Sequence, residues 1–156
     1  MILKYQKIFK KFDDKHSTTI TLVEPDYNDN DERRITELCT IGEDTYVHVP
    51  DGVVLPEQPF DIDVGMESVT LTPELKKEIK ALSPHVRLSY QRLQDRIRTK
   101  YSIEDEQYLT RIAVGNLAGT YTMQADEPGL VTEYQAWVED CREIARLERI
   151  GWGLGR

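Results

Sequence analysis

The sequence predicts an α+β fold, with a small antiparallel β-rich unit over residues 1–71 and a helical unit of about four helices over residues 72–156. Two observations carry this. The first half holds short runs of β-branched residues cut by turn residues. The second half holds capping residues, each followed by an amphipathic segment. A third observation is charge: residues 1–72 carry 7 Lys/Arg against 15 Asp/Glu, and residues 73–156 carry 13 of each, so the whole net charge of −8 sits in the first half.

Residues 2–12 place apolar side chains at Ile2, Leu3, Tyr5, Ile8, Phe9 and Phe12, a spacing that suits a short helix as well as a strand. Residues 13–16 read as a turn, and residues 17–23, rich in Thr, Ile and Val, as a strand. The polar run 25–32 is an exposed loop. Residues 35–41 and 45–49 flank Gly42-Glu43-Asp44 as a hairpin. Pro50-Asp51-Gly52 is a turn, after which residues 53–55 can pair again before Pro56 and Pro59. Alternation over residues 60–64 suggests one more edge strand.

The helices follow. Thr72 caps the first, with Pro73 at its first position and Leu75, Ile79 and Leu82 on one face. Ser83-Pro84 starts the second, whose apolar face is Val86, Tyr90, Leu93, Ile97 and Tyr101. Ser102 with Asp105 forms a capping box for the third, which buries Tyr108, Leu109, Ile112 and Ala113 and ends near Gly115 or Gly119. Asp126-Glu127-Pro128 opens the last, with Leu130, Tyr134, Trp137, Cys141, Ile144 and Glu148 on one line and Val131, Val138 and Ala145 beside it. Gly151 ends that helix, and residues 152–156 read as a flexible tail with one exposed aromatic.

A chain of 156 residues buries enough surface to fold without a disulfide or a metal. Cys39 and Cys141 lack metal-ligand spacing and read as reduced thiols. The lysines among residues 1–12 interrupt any signal-peptide core, and no stretch is apolar enough to span a bilayer. An acidic first half repels phosphates and anionic lipids, which argues against nucleic acid or membrane as a partner and for a basic protein.

Candidate chemistry is sparse. Asp26, Asn28, Asn30 and Glu37 occupy ligand offsets of a calcium loop, but Asp31 stands where the sharp turn wants glycine, so a solvated acidic loop is the better reading. Glu104, Asp105 and Glu106 can be a carboxylate site for a metal-dependent enzyme, yet acids in a first helical turn also complement the helix dipole. His16, His48 and His85 lie on separate elements, and no nucleophile or phosphate-loop motif appears, so neither a metal nor a cofactor is expected. What remains is surface: the basic residues Arg87, Arg92, Arg98 and Lys100 on the second helix, and Trp152 with Leu154 in the tail, as partner-binding residues.

Residues 69–115 and 134–155 resemble small proteins encoded among the tail genes of tailed bacteriophages and prophages. The likeness is carried by Ser83-Pro84-His85-Val86, by the run RTKYSIEDE over residues 98–106 and by residues 137–142. It implies a non-enzymatic tail-module protein, akin to a tail-assembly chaperone, that binds other tail or virion proteins or further copies of itself. Its place would be the host cytoplasm during assembly, or the virion. An acidic DNA-mimic inhibitor of a host DNA-binding protein is the runner-up, and a metal-dependent enzyme the third reading.

Overall fold

The structure is a computed structural model that describes residues 1–28 and 33–155. It has the expected α+β composition, strands first and helices after. The chain forms two units, but the boundary does not fall at residue 71. The first unit takes in Met1–Arg87 and regains the chain from Arg149 onward; the second is Leu88–Glu148.

Strands β1 (Ile2–Gln6), β4 (Thr36–Ile41), β5 (Asp44–His48) and β6 (Glu67–Ser68) form an antiparallel sheet in the order β4-β5-β1-β6. Strands β2 (Ile8–Lys11) and β3 (Ser17–Ile20) form a separate hairpin. The ambiguous residues 2–12 are thus two strands. Their period was undecidable because β1 is covered on both faces. Ile2 packs with Leu38, Tyr46 and Ile79, while Leu3 and Tyr5 pack with Val47, Val49 and Ile62 on the other side. The hairpin of β4 and β5 forms as expected, turning at Gly42 with φ 61° and bulging between Glu37 and Cys39.

Two expected strands are absent. Residues 53–55 form no strand, and the segment expected as an edge strand is a single helical turn, α1 (Phe60–Asp63). Alternation promised three inward side chains there, yet only Ile62 is buried, and Phe60 and Val64 face solvent. One inward residue does not need a strand. The Ile62 and Asp63 amides instead close on the Pro59 carbonyl, both at 2.9 Å. Beyond β3 the Gln58 side chain supplies the missing strand partner, accepting from the Val23 amide at 2.8 Å and donating to its carbonyl at 3.0 Å.

The long helices are α2 (Pro73–Leu82), α3 (Pro84–Arg98), α4 (Ile103–Leu117) and α5 (Glu127–Gly151). Thr72 caps α2 through the Leu75 amide at 3.2 Å. At α4 the box is complete: Ser102 Oγ accepts from the Asp105 amide at 3.1 Å, and Asp105 accepts from the Ser102 amide at 2.9 Å. Replacing Ser102 with alanine should cost about 1 kcal/mol in urea unfolding. Gly115 sits inside α4 because Tyr121 crosses it: a β-carbon there would lie 2.9 Å from Tyr121 Cβ.

In the first unit Ile79 of α2 and Val86 from the first turn of α3 cover one face of the four-stranded sheet, and α1 covers the other. The second unit is built from the rest of α3, from α4 and from α5 up to Glu148. Its core is small: Leu109, Ile112 and Val131, flanked by Tyr101, Ala113, Met123 and Tyr134. The buried residues of α5 include Val131, Cys141 and Ala145; of the expected line, Cys141 is buried, Tyr134, Trp137 and Glu148 are partly buried, and only Leu130 and Ile144 are turned out.

Candidate functional site

The four basic residues do not make one strip. Lys100 lies beyond the end of α3, and at 3.6 residues per turn Arg92 and Arg98 fall on different faces of it. Within the second unit, Lys100 Nζ lies 2.8 Å from Glu133 of α5 and over two rings, 5.5 Å from the centroid of Tyr101 and 5.4 Å from that of Trp137. The glutamate holds that ammonium above its usual range. Arg92 reaches Glu148 at 3.9 Å, a contact too long and too exposed to contribute much. Arg87 and Arg98 stay exposed and form no ion pair among the described residues. Lys100 is therefore part of how α3 meets α5 rather than a docking residue.

The tail is not free either. The Gly153 amide donates to the Ile150 carbonyl at 2.8 Å and the Leu154 amide to the Arg149 carbonyl at 3.0 Å, with Gly153 at φ 71°. These are the two bonds of a Schellman cap. The cap turns Leu154 into the first unit's core, where its exposure is 0%. Trp152 is half-buried against the same core with its ring 5.8 Å from that of His85. As partner anchors, Trp152 and Leu154 are corrected to core residues. Glycine at 151, 153 and 155 suggested looseness, whereas Gly153 is the left-handed residue a cap requires.

His48 lies beside this tail, with a β-carbon at Gly153 falling 3.8 Å from its Cδ2. Burial lowers its pKa, the N-terminal ammonium lowers it further, and Asp51 opposes them. A base held neutral in the folded state contributes stability that is present above its unfolded pKa of about 6.5. That contribution is lost as pH falls through the lower folded value. The urea midpoint should therefore drop as pH falls below about 6.5, and less so in a His48→Gln variant.

Sequence reading missed a polar centre in the second unit. Glu127, the first residue of α5, is buried and receives hydrogen bonds from three donors. They come from the Tyr108 hydroxyl, from the Tyr121 hydroxyl to both oxygens at 2.9 and 3.0 Å, and from the Gln124 amide at 2.8 Å. These donors hold the Glu127 carboxyl below the usual range, Tyr108 first. In return the carboxylate pushes the Tyr108 phenol up to about 12 and raises Tyr121 as well. Every donor is internal, so the group fastens α4 to the start of α5. Two of the three first-turn acids of α4 are also engaged: Asp105 in the capping box, and Glu106 as acceptor from Tyr134 at 3.4 Å. Among the described residues no three or more His, Cys, Asp or Glu side chains are grouped to hold a metal. Asn30 and Asp31 of the calcium-loop pattern lie outside the described residues.

What stands out to solvent is apolar. On α4, Ile103, Val114 and Leu117 are exposed, Leu117 at 88%, and Val114 borders an open recess of about 560 Å³ with Thr110, Arg111 and Tyr134. In the first unit all three phenylalanines of the chain, Phe9, Phe12 and Phe60, face water. No helix among the described residues is long and apolar enough to cross a membrane. No protein-family model, curated protein or solved structure matches the chain.

Proposed function

We propose that this chain is a non-enzymatic module of a bacteriophage tail that binds other tail proteins, in the host cytoplasm during assembly or within the virion. The observation that carries the binding role is the pair of exposed apolar side chains Val114 and Leu117, one turn apart on α4, with Val114 bordering an open recess. Contiguous exposed apolar surface of this kind is characteristic of protein contacts. The tail assignment rests on the resemblance of residues 69–115 and 134–155 to small tail-gene products.

The test is co-expression of the tagged chain with tube and tape-measure proteins of a tailed bacteriophage, followed by purification. At least one should co-purify, and high salt should remove it only slowly because the contact is apolar. Val114→Asp with Leu117→Asp, both at exposed positions, should abolish capture while leaving the circular dichroism spectrum intact. Capture of neither protein, or capture unchanged in the double variant, would sink the reading.

A further inference from the structure

The first unit carries two surfaces that match each other and lie on opposite faces of its sheet. The first surrounds α1. Phe60 is 80% exposed, and it lines a recess of about 440 Å³ together with Glu57 and Asp63. Val64, one turn on, is exposed too. Neither Glu57 nor Asp63 forms an ion pair among the described residues. This is an apolar knob between free carboxylates.

The second surface belongs to α2. Lys76, Lys77 and Lys80 border a recess of about 470 Å³ with Leu71 and Pro73. In a chain with 28 acidic residues, its other lysines mostly sit on carboxylates: Lys4 on Asp44 and Glu67, Lys7 on Glu37, Lys10 on Asp61, Lys11 on Asp14. Lys76 and Lys77 sit on none among the described residues. Burial, Arg149 and Lys76 together depress the Lys80 ammonium, so positive charge is crowded here.

One copy cannot bring these surfaces together. Ile62 anchors α1 to one face of the sheet and Ile79 anchors α2 to the other. We infer that copies of this chain associate head to tail, the Phe60 knob of one entering the lysine-bordered recess on α2 of the next. Glu57 and Asp63 then meet Lys76 and Lys77. Such a contact joins different patches, so it propagates into a ring or a filament rather than closing as a two-fold dimer. The net charge of −8 opposes association at low salt, but near physiological ionic strength charges beyond about 8 Å are screened and the local pairing prevails.

Sedimentation velocity over a wide concentration range at physiological salt tests this. The wild-type mass should rise with concentration and pass beyond the dimer. Phe60→Ser removes the knob and keeps the recess; Lys76→Glu with Lys77→Glu does the reverse. Each variant alone should remain monomeric with an unchanged circular dichroism spectrum. Mixed, they still own one intact face of each kind, so they should form a complex of one copy of each that grows no further. A wild type that stays monomeric, variants that associate as the wild type does, or a mixture that forms no such complex would each overturn the inference. The experiment uses this chain alone, so its outcome is separate from that of tail-protein capture through α4.

Discussion

Leu154→Ala should lower the unfolding free energy by about 2–5 kcal/mol, the range for removing a leucine's outer carbons from a packed core. The side chain has 0% exposure and contacts a cluster that includes Ile2, Ile79 and Val86. It lies on the segment that follows α5 and is fixed there by a Schellman cap, so the site has little freedom to collapse around a smaller residue. Leu117→Ala is the matched control, since that leucine is almost wholly exposed and surface changes usually stay within about 0.5 kcal/mol. Equal urea midpoints for the two variants would mean that Leu154 does not occupy the core.

Glu127→Gln should be the most damaging polar change. The amide keeps the shape but has one acceptor oxygen where the carboxylate has two, and its NH2 group faces a phenol or an amide that also donates. Unfolding of the variant should come at lower urea than that of Ser102→Ala. The pH dependence should change as well. A carboxyl held below its ordinary value of 4.5 contributes stability above that pH, and the contribution is lost as pH falls through the folded value. The paired phenols act at the other end: their raised values contribute stability below about pH 10, lost as pH climbs toward the Tyr108 value of about 12. In the variant both tyrosines should ionise closer to 10, visible as a shift in the near-ultraviolet absorbance titration. An unshifted titration would show that Glu127 does not hold them.

The parts of this fold that could be read from the sequence are the ones set by local chemistry. Thr72, Ser102 and the 3.6-residue period fix α2 and α4 within a few residues, because a cap and its amide are three positions apart. The hairpin at Gly42 is equally local. Features set by distant partners were not readable. Residues 2–12 resisted assignment because β1 needs apolar side chains on both faces. Residues 60–64 alternate, yet only Ile62 has a place to go. Glu127 reads as an ordinary first-turn acid until Tyr108 and Tyr121 are seen to converge on it. The basic strip failed for a simpler reason: cations on one helix do not share a face unless the helical angle brings them round, and Lys100 lies past the end of the helix.

The return of the chain to its first unit bears on how the protein is made. Residues 1–87 leave the ribosome with their core still open, because Trp152 and Leu154 follow only after the 61 residues of the second unit. N-terminal units ordinarily fold first during synthesis. Here the order is inverted: residues 88–148 are complete in sequence before the unit that precedes them can close. Until then the part of the Ile2, Ile79 and Val86 cluster that Leu154 fills is open, and it is in that interval that a nascent chain of this protein is most exposed to aggregation.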